Sequence, residues 1–423
     1  MPPMLDKSSE ALNAGASRRV TGSRSFSWAL GTVSLVVWSF VALQLAHRVN
    51  ARLPLDFQVY RDAARNMLDG RATYHAHFTF KNLNFTYPPF ALLLFSVLAL
   101  IPATVALAGW WAVNLAALVA FVYVALGSLS TLPSRVALLS SFVIAGASCL
   151  WLEPVRSSLA FGQINFLLMF AVAVDLMVVR SSIRGVLVGL AAAVKLTPLI
   201  YIAYFFAART MSSTYRAIGT FVAASVVAWL ILPSDSVTFW FHQAFSPGHK
   251  GGAKGNINQS LFGLLGRFST ALGSSIIILW LALCVVTFIL GVYCARRYVA
   301  DNRFIEALLA LALTEVLVSP ISWPHHWSWI ILVPVLLITR WGHDHWVDMA
   351  MIVLLAVAVL APYRLFHHHH HHRVVPPLLP GYSLVFAGIM LLFVMSITEL
   401  HRHRRDRMSI EAPLSAPTLV NAP

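Results

Sequence analysis

Long apolar runs alternate with shorter polar stretches along most of the chain, from Trp28 to Leu400. The runs lie near 27–46, 88–101, 104–127, 135–152, 164–179, 185–208, 217–233, 274–295, 304–320, 327–340, 346–362 and 381–400. About 20 apolar residues in a helix cross the ~30 Å hydrocarbon core of a bilayer. The pattern therefore predicts an all-α polytopic membrane protein. The polar stretch 47–87 after the first run is too long for a tight turn and is rich in Tyr, Phe, Asn and His. Within it, Phe57, Tyr60, Ala64 and Met67/Leu68 recur at helical spacing, while Gln58, Arg61, Asp62, Arg65 and Asn66 fill the other face. That spacing predicts an amphipathic helix lying on the outer leaflet.

Arginines give the runs a direction. Arg180/Arg184, Arg209/Arg216, Arg296/Arg297/Arg303, Arg340 and the tail "HRHRRDR" mark cytoplasmic ends under the positive-inside rule. The loops 234–273, 320–326 and 363–380 hold few or none, which places them on the outer side with 47–87. Run 185–208 carries arginines at both ends, and "VKLTP" interrupts it. Proline disfavours helix at the residue before it, so a break is expected there, with Lys195 near a cavity. The run then makes one span or two short halves. Both termini read as cytoplasmic, which requires an even number of crossings, about twelve. The expected organisation is a disordered tail over 1–26, a membrane domain over 27–400 and a second cytoplasmic tail over 401–423.

Composition narrows the class. Of 423 residues, 58% are hydrophobic and 11% charged, against roughly 25% charged in soluble proteins, and mean hydropathy is +0.74. The net charge of +14 comes from 30 basic and 16 acidic residues. No nucleic-acid motif accompanies it, so membrane orientation accounts for it. Cys149, Cys284 and Cys294 lie in or at the ends of apolar runs without metal-ligand spacing and read as small apolar side chains. The basic stretch Arg18, Arg19, Arg24 precedes a full-length run with no clear small-residue cleavage site, so an uncleaved first span is expected. The six histidines 367–372 are either an inserted tag or a His-rich outer loop.

Candidate chemistry concentrates in the outer stretches. Asp56 heads the amphipathic helix, where it is either an N-cap, with Leu55 and Tyr60 as a hydrophobic staple, or a reactive acid. A capping carboxylate accepts backbone N–H bonds that lower its basicity, so the two roles compete. In "FTYPPF" the prolines set the entry of a run, and Tyr87 suits an aromatic belt. In "FGQINFLL", Gln163 and Asn165 either cap or join helices, or offer donors and acceptors to a sugar. Lys195 is a cation inside an apolar run, suited to an anionic ligand. "GHKGGAKGNINQSLFG", with Asn256 and Gln259, lacks the ending of a phosphate-binding P-loop and reads as a mobile loop or a cover over a polar substrate. "SPISWPHHWSW" puts His325 and His326 side by side in a short outer turn, with Glu315 one helical turn before it. Asp175, near Arg180, reads as an interfacial ion pair. No HExxH, redox CxxC or nucleotide-binding pattern appears, so an activated donor is expected to arrive on the outer face already bound to lipid. A lipid or sugar transporter without chemistry is the alternative from another class.

"LDFQVYRDAARNML", "FTYPPFALLLFSVLAL", "FGQINFLL", "AAAVKLTP", "NINQSL" and "SPISWPHHW" occur in this order in the chain. In that order they resemble glycosyltransferase family 87, the polyprenol-phosphate-mannose-dependent α-mannosyltransferases of the GT-C superfamily, over about 27–400. The resemblance implies a GT-C type bundle of about twelve transmembrane helices with interfacial helices in the first outer loop. It implies inverting transfer of mannose from polyprenyl phosphate mannose to a lipid-anchored phosphatidylinositol mannoside, forming an α-1,2 bond on the extracytoplasmic face of the mycobacterial plasma membrane. A lipomannan-branching mannosyltransferase or a related arabinosyltransferase is the alternative within the family. Asp56 matches the family's catalytic acid, and His325 or His326 its outer-face histidine. Lys195, a histidine of the pair and Arg61 are candidates for the leaving phosphate. Gln163, Asn165, Asn256 and Gln259 could orient sugar hydroxyls, Trp323 could stack on a ring, and Tyr87 completes the substrate-binding set. No cofactor, metal or nucleic-acid partner is expected. The oligo-histidine loop departs from the family pattern.

Overall fold

The computed structural model describes residues 24–49, 53–129, 132–244, 257–366 and 378–411. The glycine-rich loop through Asn256, the histidines 367–372 and most of the N-terminal tail lie outside the described residues. Among those described, the only extended pairing is an isolated bridge between Phe78 and Leu83; the rest is helix and connection.

The helices are α1 (Arg24–Val49), α2 (Leu55–Leu68), α3 (Pro89–Leu100), α4 (Ala103–Leu129) and α5 (Ser134–Trp151). They continue with α6 (Glu153–Phe161), α7 (Asn165–Met177), α8 (Val186–Val194), α9 (Ile202–Ala207), α10 (Met211–Ile231) and α11 (Pro233–Thr238). After the undescribed loop come α12 (Leu261–Gly266), α13 (Ser275–Ala300), α14 (Phe304–Val318), α15 (Leu332–Arg340), α16 (His345–Leu360) and α17 (Ser383–Glu411). Among the described residues, seven helices are long and apolar enough to cross a membrane: α1, α4, α5, α10, α13, α16 and α17. The pair α6–α7, bent by 115°, would add an eighth if it formed a single span. The chain is a multi-pass membrane protein. The last helix runs through residue 411, so the segment expected as a tail from 401 begins as helix.

Two ends of the bundle differ in chemistry. At one, Arg303 donates to Glu306 and to Glu399, each at 3.0 Å, Arg402 adds a 2.8 Å bond to Glu399, and Arg340 lies 3.7 Å from Glu306. This buried network ties α14, α15 and α17 together. At the other end the loops interlock. Thr73 N–H donates to Asp235, Gln243 to the Tyr74 carbonyl, Asn258 to the Pro320 carbonyl, and Gln259 to the Ser322 and Gly381 carbonyls. The described parts of the 47–87, 234–273 and 320–326 stretches therefore lie at one end.

One expectation changes, and one open alternative is decided. The run at 88–101 does not pass from one end of the bundle to the other. It forms a 12-residue helix, shorter than the full-length spans, and turns back before α4. Its C-terminal carbonyls at Ala99 and Ile101 accept from Arg65 and Arg61 of α2. Trp110, two turns into α4, donates to the Gly162 carbonyl, so both ends of α3 stay at the loop end. Run 185–208, for its part, is two halves. α8 stops at Lys195, which adopts extended backbone, and a 3-10 turn over Thr197–Tyr201 leads into α9. Gly185 packs on Ser213 and Gly189 on Ala217, where a Cβ would meet backbone at 2.3 and 2.4 Å. With α9 leading directly into α10, both ends of the pair sit at the arginine end.

Asp175 is not an ion pair. It is fully buried, and its two oxygens accept from the Gly185 and Val188 N–H groups at 2.8 Å. It thus caps α8 from the neighbouring helix, answering donors that a helix start leaves unpaired.

Candidate functional site

The site forms where α2, the turn between α6 and α7, and the 3-10 helix Pro324–Ile331 meet. Pro54 takes the N-cap position of α2 without a side-chain cap bond, which leaves Asp56 in the first turn. The capping and staple reading of Asp56 therefore falls away: proline, lacking an N–H, takes the start, and the carboxylate faces across the chain instead. Phe57, Val59, Tyr60, Ala63 and Ala64 are the buried face. Gly162 ends α6 with φ 68°, and a Cβ there would sit 2.8 Å from the Phe57 Cβ. Only glycine meets both demands at low cost, and the turn it makes delivers Gln163.

Gln163 joins the pieces. Its Nε2 donates to Asp56 Oδ2 at 2.6 Å and lies 3.2 Å from His325 Nε2. Its Oε1 lies 3.1 Å from the Tyr60 hydroxyl and 3.0 Å from that of Tyr87, and the two hydroxyls are 2.7 Å apart. Asn165, two residues on, donates to the His325 carbonyl at 2.9 Å and to Ser158 Oγ at 3.2 Å, and accepts from Lys195 Nζ at 2.9 Å. The Lys195 ammonium also sits 5.6 Å from the Tyr87 ring centroid. The break in run 185–208 thus presents a cation exactly as far as the amides, because α8 ends there.

The adjacent histidines diverge. Their rings stand at 83°; His325 is buried against Phe161 and Gln163. His326 lines a small open cavity with Lys195, Asn165, Thr197, Glu315 and Trp329. Glu315 accepts from the Tyr201 hydroxyl at 2.7 Å.

Burial pushes the Asp56 carboxyl up to about 6, against the opposing pull of the Gln163 bond and the Lys195 charge. Burial, aided by repulsion from Lys195, holds His325 well below the usual imidazole range, so its ring is neutral at pH 7. Burial and the nearby Asp56 raise Tyr87, and burial, Tyr87 and Asp56 raise Tyr60; both keep their protons. The arrangement offers a base poised near neutrality, a neutral histidine and a cation beside an open cavity.

Of the residues singled out in the sequence, Asp56, Tyr87, Gln163, Asn165, Lys195, His325 and His326 come together. Arg61 does not: its guanidinium is on the Ile101 carbonyl. Gln259 is fully buried, its amide donating to the Gly381 carbonyl and accepting from Leu384 N–H, so it braces loops. Trp323 stands at the start of the 3-10 helix, its carbonyl accepting from His326 N–H. Asn256 lies outside the described residues. Tyr60, Tyr201 and Trp329 were missed as site residues, since on an apolar face a tyrosine or tryptophan looks like core.

Comparison with known proteins adds the following. The family model for Glycosyltransferase family 87 matches residues 85–320. A polyprenol-phosphate-mannose-dependent alpha-(1-2)-phosphatidylinositol mannoside mannosyltransferase of Mycolicibacterium smegmatis is 36% identical over 332 residues, 73% of each chain. A protein of the same description from Mycobacterium tuberculosis is 30% identical over 411 residues, 92% of this chain and 94% of that one. A phosphatidylinositol pentamannoside mannosyltransferase of Mycobacterium tuberculosis is 31% identical over 60% of this chain and 58% of its own. No solved structure matches the chain.

Proposed function

The chain belongs to glycosyltransferase family 87, and from that premise we propose that it transfers mannose from polyprenyl phosphate mannose to a phosphatidylinositol mannoside. The bond formed is α-1,2, with inversion, on the extracytoplasmic face of the plasma membrane. The carrying observation is the network that places Asp56, Gln163 and His325 beside the cavity of Lys195 and His326.

In this reading Asp56 accepts the proton of the acceptor 2-hydroxyl as that oxygen bonds to the mannose anomeric carbon. The bond from that carbon to the phosphate oxygen breaks, and polyprenyl phosphate leaves with the electron pair. A base works best with a pKa near the operating pH, which suits a carboxyl raised to about 6. Lys195 and His326 stabilise charge on the departing phosphate, a group that leaves without needing a proton. One carboxylate then suffices, unlike the acid and base of an inverting glycosidase. Asn165 holds Lys195 and, with the open edge of the cavity, positions the sugar.

The GT-C type and the count of about twelve helices belong to this reading. With α3 kept at the loop end and α8 and α9 counted as two, twelve helices still return both termini to the arginine end. Positive-inside bias makes that end cytoplasmic. Residues 27–400 form the catalytic domain.

The test is incubation of purified protein with polyprenyl phosphate mannose and a defined set of phosphatidylinositol mannosides, followed by linkage analysis. An α-1,2-mannosylated product, formed in the presence of EDTA, is expected. Binding or movement of lipid without transfer overturns the reading in favour of a transporter. No transfer to any phosphatidylinositol mannoside, with branching of lipomannan supplied as a second acceptor, overturns the acceptor; transfer only when polyprenyl phosphate arabinose replaces the mannose donor overturns the donor.

A further inference from the structure

We propose that Gln163 is a positioning residue, locked in one amide orientation by the Tyr60 and Tyr87 hydroxyls so that its NH2 group always faces Asp56 and His325. The inference rests on Asp56 acting as the base.

Counting protons supports the lock. The Tyr60 hydroxyl, the Tyr87 hydroxyl and Gln163 Oε1 form a triangle with edges of 2.7, 3.0 and 3.1 Å. Two hydroxyl protons serve three edges, so one hydroxyl donates to the other and the second donates to Oε1. Either order leaves Oε1 an acceptor. The NH2 group then has two protons and two acceptors, Asp56 Oδ2 and His325 Nε2. A reversed amide would set Oε1 against the ionised carboxylate at 2.6 Å and strand a hydroxyl proton in a buried place, both costly. The aromatic packing keeps the hydroxyls in place: Tyr60 stacks on Phe95 at 4.3 Å between ring centroids and meets Tyr87 edge-on at 5.1 Å.

The lock matters when Asp56 takes up a proton. A free amide would turn its oxygen to the new O–H and stabilise the acid. A locked amide keeps offering N–H, which favours the ionised base and keeps it ready for the next acceptor. The same lock fixes His325 Nε2 as an acceptor, and hence its ring proton on Nδ1. The ionisable groups facing Asp56 are Tyr60 on its own helix, Tyr87 before α3, Lys195 at the end of α8 and His325 on the 3-10 helix. On α6, Glu153 and Arg156 act on Tyr363 instead.

The test is the pH profile of kcat/KM for Tyr60→Phe/Tyr87→Phe, with polyprenyl phosphate mannose as donor. The acid-side midpoint is expected to rise by on the order of one unit, with transfer falling severalfold at pH 6.5 and recovering at pH 8.5. Gln163→Met should move the midpoint in the same direction and Gln163→Glu further, since a second carboxylate opposes ionisation. A uniform loss at every pH, with the midpoint unmoved, would mean packing alone and overturn the lock. Melting temperature against pH, for each background with and without Asp56→Asn, reads the carboxyl independently of turnover. If Asp56→Asn still transfers mannose, the base reading fails while this comparison still decides the lock. Should the double variant not fold, Tyr87→Phe and Gln163→Met are read by the same two criteria.

Discussion

A half-hidden carboxylate at Asp56 costs the folded state stability at neutral pH, and that cost is measurable. Its pKa rises from 3.8 to about 6 on folding, so the folded state holds the proton more tightly than the unfolded chain. Stability from this group is present in full below about pH 4 and falls as pH rises through 6. The loss amounts to about 2.2 units at ~1.4 kcal/mol each, or up to about 3 kcal/mol at pH 7. Asp56→Asn is therefore expected to abolish mannose transfer while melting higher than wild type at pH 7.5, a difference that shrinks towards pH 4 in thermal denaturation. Substantial transfer by Asp56→Asn and Asp56→Ala would remove the residue from the chemistry. The histidines should separate by kinetic signature. His325→Ala removes an acceptor of Gln163 and should depress kcat alone, whereas His326→Ala, which lines the cavity and stabilises the departing phosphate, should depress kcat and also raise KM for the donor. Sequence suggested the residue types of this site but not their partners. That Gln163 binds Asp56 follows from a contact 107 residues apart, which no local pattern encodes.

At the scale of elements, two short helices end where the chemistry begins. α8 starts under a cap supplied by Asp175 and stops at Lys195. Asp175→Ala leaves two buried N–H groups unanswered, at a cost of about 2–4 kcal/mol. The expected outcome is a lower melting temperature together with a raised donor KM, since Lys195 rides on the far end of that helix. An unchanged KM in a folded variant would show that α8 does not set the position of the cation. α6 ends at Gly162 because the backbone there is left-handed and Phe57 leaves no room for a Cβ. The proline in "VKLTP" announced the first break in the sequence. Glycine in "FGQ" carried the second, but a lone glycine in an apolar stretch has several uses, and the 115° bend depends on what packs against it.

Across the whole molecule, the interlocked loops at one end and the Arg303–Glu306–Glu399 network at the other fix the direction of the helices. Arg303→Ala would leave Glu399 to Arg402 alone and Glu306 to the more distant Arg340; about 1–3 kcal/mol of destabilisation is expected, read as lost yield and a lowered melting temperature. The fold also makes a topological prediction. In a background free of Cys149, Cys284 and Cys294, cysteines placed at Ser181 and Ser212 should react with an impermeant thiol reagent from one side. Cysteines at Phe80 and Pro102 should react from the other. Labelling of Pro102 together with Ser181 would restore α3 as a crossing.

The sequence by itself determined the class, most of the runs that become helices, the arginine-rich ends of several of them and the residue types that gather at the site. Those properties are local: hydrophobic period, arginine placement and proline each act within a turn or two of the chain. Only the tertiary structure decided that 88–101 returns to its own side, that 185–208 folds back as two halves, and that Gln259 braces loops while Gln163 faces the acid. In each case the decision lies in which distant backbone or side-chain group satisfies a buried donor or acceptor, and one-dimensional periodicity carries no record of that pairing.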